Sequence, residues 1–422
     1  MAPLTEDVVA LRRRFHEWPE LGFLEFRTAA TVASTLEGLG YGLATGAAAM
    51  AAEARMGVPE PAAIEAAAAA AEREGAEPRW LDRMRGGMTA VVAELEGRRP
   101  GPAVGFRFDL DALPVRESED DSHRPAALGF ASRRPGLMHA CGHDGHAAIG
   151  LALAARLADR EFDGRVELIF QPAEEGLRGA AAVASSGALD GLDRIFCLHL
   201  GLGLPTGAVH GATEGLLAST KRRAVFAGRA AHAGMAPEEG ANALLAAAQA
   251  VVGLHALPQY AGPGARLNVG RLRAGEAANV VPPSAELLLE TRAPTATAEG
   301  ALGEAARRTM AGAAAGLGVT VEIEAVGGAP EVVCDPGPAE LVRSAAGEVP
   351  GLAPAAGPHL DSGSEDASWL LERVRENGGD GTYVAFGCSS PGGHHSPEFD
   401  LDEAALPLAV ELLERLARTP AR

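Results

Sequence analysis

Val166-Glu167-Leu168-Ile169-Phe170-Gln171-Pro172-Ala173-Glu174-Glu175-Gly176 is an apolar run followed at once by two adjacent carboxylates. The run reads as a buried strand, and Glu174 and Glu175 then follow its C-terminal end. Neighbours at a strand end cannot share one direction. One of the pair can therefore ligate a metal while the other faces a water. Upstream, Met138-His139-Ala140-Cys141-Gly142-His143-Asp144-Gly145-His146 packs a thiol and three imidazoles into the eight positions 139–146. Thiolate, imidazole and carboxylate are the side chains that hold transition metals. Cys141 and His143 sit two apart, so in an extended turn both can face one point. Cys197 and His199 end a second apolar strand, at the edge where catalytic groups of α/β folds gather. Gly392-Gly393-His394-His395-Ser396-Pro397 adds a glycine-rich loop with two more imidazoles. A carboxylate beside a metal-bound water is the usual general base of metal-assisted hydrolysis, so the pattern points to a hydrolase.

Working outward, strands are predicted at 88–95, 102–109 (ending in Asp109-Leu110-Asp111), 165–170 and 194–199. Helices are predicted at 4–15, 26–39 and 144–158. Strands alternating with helices predict an α/β fold with a mostly parallel sheet flanked by helices. From 217 the order becomes strand (219–228), helix (240–256), strand (265–272), strand (284–292), helix (297–316) and strand (319–326). That is βαββαβ, the ferredoxin-like arrangement. A helix, a strand at 382–386 and an amphipathic helix at 402–417 close the chain. The expected organisation is a larger domain over 1–216 and 329–422 with a small domain inserted at 217–328. Residues 47–88, rich in Ala, Glu and Arg, are expected to form a solvated helical insertion.

A chain of 422 residues with 47% hydrophobic and 22% charged residues has the composition of a globular enzyme. Its net charge of -19 argues against nucleic acid or an anionic membrane as partner. An anionic small molecule stays open, because a metal and a few Arg can reverse the field inside one cleft. Lys221 is the only lysine. No apolar stretch reaches the length of a signal core or a membrane span. Cys141, Cys197, Cys334 and Cys388 show no disulfide-like spacing. Reduced thiols in the cytoplasm are the expectation.

Longer motifs resemble, over nearly the whole chain, the metal-dependent amidohydrolases that include aminoacylases, hippurate hydrolases and indoleacetyl-amino-acid hydrolases. They are Arg14-Phe15-His16 with Pro19-Glu20-Leu21-Gly22, Asp109-Leu110-Asp111-Ala112-Leu113-Pro114, the His139–His146 run and Phe170–Gly176. Ala231-His232-Ala233, Asn279-Val280-Val281-Pro282, Gly363-Ser364-Glu365-Asp366 and His395-Ser396-Pro397 match as well. Within the family the nearer likeness is to the branch that cleaves p-aminobenzoyl-glutamate. It extends to the insertion with Arg55-Met56-Gly57 and Trp80, and to Ser122-His123-Arg124-Pro125 and Gly393-His394-His395.

The resemblance implies two divalent metals, Mn²⁺ or Zn²⁺, held by Cys141, His143, Glu175, His199 and His395. His394 is the neighbour that could replace His395. Glu174 would be the general base that produces the attacking metal-bound hydroxide, and Asp111 would orient a ligand. His232, from a lid and dimerisation domain, would polarise the scissile carbonyl in the partner subunit. Asn279 and Arg292 would hold the substrate's terminal carboxylate, and Lys221 a second one. His146 is expected on a helix face, His139 behind the ligands, and the other cysteines as buried thiols. The implied reaction is hydrolysis of an N-acyl amino acid, foremost p-aminobenzoyl-glutamate to p-aminobenzoate and glutamate. A broader acyl-amino-acid hydrolase or dipeptidase, or a subunit that needs a partner chain, stays open. So does the choice between a homodimer and a heterodimer with a similar chain.

Overall fold

The computed structural model describes residues 7–257, 262–355 and 363–419. The chain divides into two compact units, one of Met1–Glu214, Val332–Leu360 and Asp366–Arg422, the other of Gly215–Glu331 and Asp361–Glu365. The described strands are β1 Gly42–Thr45, β2 Val91–Glu96, β3 Arg99–Asp109, β4 Asp163–Gln171, β5 Arg194–Leu200 and β6 Ala208–His210. They continue with β7 Ala218–Ala227, β8 Arg266–Ala274, β9 Ser284–Ala293, β10 Thr320–Ala329, β11 Ala353–Pro354 and β12 Asp380–Phe386.

In the larger unit the sheet order is β1-β2-β4-β3-β5-β12-β6-β11. The central strands β4, β3, β5 and β12 run parallel. β1 and β2 join antiparallel on one side, and β6 joins β12 antiparallel on the other. The parallel strands are buried along almost their whole length, as strands covered on both faces must be. That explains why they read as continuous apolar runs. The short strands β1, β6 and β11 carry too few residues for a periodic signal.

Helix His143–Leu157 is buried on nearly every side, and packs against Val8–His16 and Ala405–Arg418. An all-round apolar helix belongs inside a core. The predicted start of the first helix at residue 4 lies outside the described residues.

The insertion departs from the solvated stretch expected of it. Helix Pro61–Arg73 exposes alanines outward but sends Ile64 and Ala71 into the main core, and helix Pro78–Arg83 adds Trp80 and Leu81 to it. Trp80 is 1% exposed, and its indole N–H donates to Ser34 Oγ at 2.8 Å. Trp80→Ala is expected to cost about 3–5 kcal/mol of stability, readable as a lowered urea midpoint.

The smaller unit is a four-stranded antiparallel sheet in the order β10-β7-β9-β8. Helices Ala243–Ala256 and Ala296–Ala315 share an alanine-rich core with it. Burial alternates strictly along β9, with one face in the core and the other solvated. Together these elements make the βαββαβ order of the ferredoxin-like arrangement. Among the described residues no helix is long and apolar enough to cross a membrane.

Candidate metal centre

Because β3, β4, β5 and β12 are parallel, their C-terminal ends share one edge of the sheet, and the chemistry-bearing loops leave from it. Asp109 ends β3, with Asp111 just beyond. Glu174 and Glu175 follow β4, His199 is the penultimate residue of β5, and His394 and His395 follow β12. Cys141 and His143 flank Gly142 at the start of helix His143–Leu157. Gly142 has φ 97°, a left-handed conformation that glycine adopts without strain, and this sharp turn sets both side chains at the helix start.

Two donor triplets, each with ligand atoms within 4.8 Å of one another, share the Cys141 thiol. One is Cys141 with His143 and His199, the other Cys141 with Glu175 and His395, and Glu174 joins His143 and Glu175 in a third. Cys141 Sγ lies 3.6 Å from His199 Nε2 and 3.5 Å from His394 Nδ1. His395 Nε2 lies 3.4 Å from Glu175 Oε1. His395 holds φ 65°, an uncommon conformation for a side-chain-bearing residue and one that functional sites retain.

The ring nitrogens are sorted by their backbone contacts. His143 Nδ1 bonds the carbonyl of Asp111 at 2.8 Å, and His199 Nδ1 the carbonyl of Leu200 at 2.8 Å. A carbonyl only accepts, so both rings carry their proton on Nδ1 and leave the Nε2 lone pair for a metal. His143 Nε2 is buried with no hydrogen-bond partner among the described residues. The donor set and this orphaned lone pair fit a divalent cation. His394 differs: its Nε2 accepts the Leu202 N–H at 3.2 Å, so the neutral ring keeps its proton on Nδ1, facing the Cys141 sulfur.

The field favours positive charge at His143 and His395, though not at every ring of the site. Burial would lower the His143 pKa, yet Asp109 and Asp111 hold it well above the usual range. His395 is pushed up to about 10 by Cys141 and Glu175. His199 is kept neutral by burial and by the imidazole of His146. The negative charge that holds these protons would also attract a cation, which has to displace them.

The loop that carries the two glutamates is strained and tied down. Ala173 and Leu177 have φ 53° and 64°. The Ala173 N–H is accepted by Glu25, and the N–H groups of Glu174 and Glu175 by the two oxygens of Asp111, each at 2.9 Å. Asp111 thus touches three site residues at once, through its carboxylate and its carbonyl.

His146 is wholly engaged, with Nδ1 on Asp109 and Nε2 accepting the Leu200 N–H at 3.0 Å. His139 is buried with neither ring nitrogen hydrogen-bonded among the described residues. Asp144 anchors the helix start through Arg12 at 2.7 Å and His16 at 2.8 Å. Cys197 and Cys388 are buried, and Cys334 partly so.

Asp109 was given no role by the sequence. Its Oδ2 lies 3.5 Å from His143 Nε2 and 2.7 Å from Arg107 Nη1. Burial alone would raise its pKa, but Arg107, His143 and His146 hold it well below the carboxylate range. Arg107 also reaches Gln171 at 2.8 Å and Asp366 at 3.4 Å. The available signal was Arg107 and Asp109 at alternate positions of an otherwise apolar strand.

The remaining predicted site residues lie in the smaller unit. His232 and Asn279 come together, with His232 bridged to Val280 and the Ala233 N–H donating to the Asn279 carbonyl at 3.0 Å. His232 Nδ1 accepts from the N–H groups of Gly234 and Met235, both at 3.1 Å, which leaves an Nε2–H on an exposed ring. Lys221 and Arg292 converge on one carboxylate. Glu290 lies 3.6 Å from Lys221 Nζ, and takes a two-pronged bond from Arg292 at 2.5 and 3.1 Å.

Residues 105–419 match the profile of peptidase family M20/M25/M40. The chain is 44% identical over 417 residues to an indole-3-acetyl-aspartic acid hydrolase of Enterobacter agglomerans, covering 97% of this chain and 95% of that one. It is 44% identical over 409 residues to a p-aminobenzoyl-glutamate hydrolase subunit of Escherichia coli K12, covering 96% and 94%. Among solved structures, an aminobenzoyl-glutamate utilization protein from Klebsiella pneumoniae superposes with a TM-score of 0.84 at 39% identity, over 97% of this chain and 94% of that one. The Bacillus subtilis YXEP protein, a dinuclear metal-binding peptidase, superposes at 0.67 with 29% identity, over 97% and 96%.

Proposed function

This chain belongs to peptidase family M20/M25/M40 and is a metal-dependent amide hydrolase, and from that premise we propose that it cleaves the amide between an aromatic acyl group and an acidic amino acid. The foremost substrate is p-aminobenzoyl-glutamate, giving p-aminobenzoate and glutamate. The observation that carries the proposal is the meeting of two donor triplets on Cys141, with Glu174 beside them. The relative that acts on indole-3-acetyl-aspartic acid matches equally well, and favours an indoleacetyl-amino-acid amide as the second reading.

We assign Cys141, His143, His199, Glu175 and His395 as ligands of two divalent cations. The proton on His394 Nδ1 makes that ring a hydrogen-bond donor to the thiolate rather than a ligand. One thiolate among imidazoles and a carboxylate suits zinc, with manganese as the other candidate. When bound, the metals supply Lewis acidity, both to water and to the substrate carbonyl. Glu174 takes the proton of the attacking water and returns it to the leaving amine. Asp111 holds the glutamate loop and the His143 ring in register. His232, from a second copy of the chain, offers its Nε2–H to the oxyanion. Asn279 and Arg292 receive the terminal carboxylate, for which Arg292 has to share or exchange Glu290, and Lys221 stays a candidate for a second.

The pairing face we assign is in the smaller unit, where Met235, Val252 and Leu272 are exposed and β8 is an edge strand. We place the enzyme in the cytoplasm, since its cysteines form no disulfide among the described residues.

The test is hydrolysis of p-aminobenzoyl-glutamate, indoleacetyl-aspartate and hippurate by the purified chain, stripped with chelator and refilled with Zn²⁺ or Mn²⁺. Release of p-aminobenzoate is expected only in the refilled enzyme. Cleavage of hippurate at an equal rate would point to a broad acyl-amino-acid hydrolase. Activity that appears only with a second, similar chain would mark a heterodimer. No cleavage of any of these amides by metal-loaded protein, alone or paired, would reject the proposal.

A further inference from the structure

Arg55 and Arg178 are two cations whose described partners are all carbonyls. Arg55 donates from Nε to Ala52 O at 3.3 Å and from Nη1 to Gly86 O at 2.5 Å. Arg178 donates from Nε to Glu175 O at 2.8 Å and from Nη1 to Gly57 O at 3.2 Å. A guanidinium has five N–H donors, so each keeps donors in hand. Neither meets a carboxylate among the described residues.

Both guanidiniums lie over the ring of Phe23, at 5.8 and 5.5 Å from its centroid. Phe23 is fully buried and holds φ 65°, a conformation that is an outlier for a bulky residue. Strain of this kind persists where the surroundings enforce it, and it clusters at ligand sites. Arg178 is also tightly seated: a Cβ on Gly22 would lie 2.3 Å from its Nη2. Burial lowers the Arg55 pKa, with no counter-charge to offset it.

The position matters as much as the charge. Arg178 bonds the carbonyl of Glu175, so the pair abuts the loop that carries the proposed base and a proposed ligand. Arg292 and Lys221 of the smaller unit, by contrast, are both drawn onto Glu290.

We propose that Arg55 and Arg178 form the subsite for the side-chain carboxylate of the acidic amino acid in the substrate. The proposal rests on the amide-hydrolase reading above and gives the 47–88 insertion a function. Arg55, contributed by the insertion, sets specificity for a dicarboxylic amino acid. Arg178 both binds and braces the glutamate loop.

The test compares kcat/KM for p-aminobenzoyl-glutamate with that for p-aminobenzoyl-glutamine, which has the same shape without the charge. The enzymes are the metal-loaded wild type, Arg55→Gln and Arg55→Lys. The wild type is expected to prefer the glutamate amide. Arg55→Gln is expected to reduce that preference about tenfold to hundredfold, mostly through KM, with Arg55→Lys recovering part of it. A purely structural arginine would slow both amides alike, so an unchanged glutamate-to-glutamine ratio in Arg55→Gln overturns the proposal. A wild type that cleaves both amides equally also overturns it, and leaves the amide-hydrolase reading standing. A wild type that cleaves no acyl-amino acid overturns both.

Discussion

Glu174→Ala is expected to lower kcat by about 10²–10⁴-fold, the usual contribution of a general base, while the metal content of the protein is unchanged. The separation of these two effects follows from the geometry. Glu174 is nearly buried, and its Oε2 lies 3.9 Å from His143 Nε2, close to the ligands yet outside the pair of triplets that meet on Cys141. Its neighbour Glu175 faces His395 instead. Two adjacent carboxylates on one strained turn thus point to different tasks. Glu174→Gln keeps the shape and removes the basicity, so it should be nearly as slow as the alanine variant. Metal analysis of the purified proteins together with turnover decides the matter. Near-normal turnover at full metal occupancy would remove Glu174 from the role of base.

Asp111→Ala is expected to fail differently, losing metal affinity by about 10–100-fold as well as rate. Its carboxylate accepts hydrogen bonds from two backbone N–H groups, and its carbonyl accepts one from His143 Nδ1–H. Without the carboxylate, the N–H groups of Glu174 and Glu175 lose their acceptors beside a buried loop already held at positive φ. Asp111→Asn tests the assignment more finely. An amide presents one acceptor oxygen and one NH₂, so it can satisfy one of the two N–H groups but must face the other with a donor. Calorimetric metal titration should rank wild type above Asp111→Asn above Asp111→Ala. Equal metal affinity in all three would mean that Glu25 and Arg178 hold the loop without Asp111.

Much of this site was legible in the chain because its parts are short and local. Cys141 and His143 are fixed by one turn, Glu174 and Glu175 by a strand end, and His199 by the last residues of a buried apolar run. The parallel core was legible for the same reason: strands covered on both faces leave unbroken apolar stretches. What escaped was pairwise and distant. Arg107 and Asp109 look out of place in a strand until each is seen to neutralise the other. The alanine-rich insertion looked solvated because most of its residues are exposed, while a few, Trp80 above all, carry its attachment. In sequence only the His395-Ser396-Pro397 match ranks His395 above His394. A single backbone N–H, that of Leu202, separates them by fixing where one ring keeps its proton. Lys221 meets Glu290 only once β7 and β9 are paired, whereas Arg292 shares a strand face with Glu290 two residues away, a local signal that was passed over.

β12 is near the end of the chain, yet it lies inside the large sheet, between β5 and β6. A growing chain can therefore complete the ferredoxin-like unit while the larger one still lacks an interior strand. Closing that gap means bringing together segments separated by more than a whole domain, a slow step in folding. His394 and His395 follow the same late strand. During synthesis the proposed ligands Cys141, His143 and His199 thus precede His394 and His395, and on that assignment hydrolytic competence arrives only with the last part of the polypeptide. Truncation near the C-terminus would leave an exposed sheet edge and an unfinished cation trap rather than a shorter enzyme.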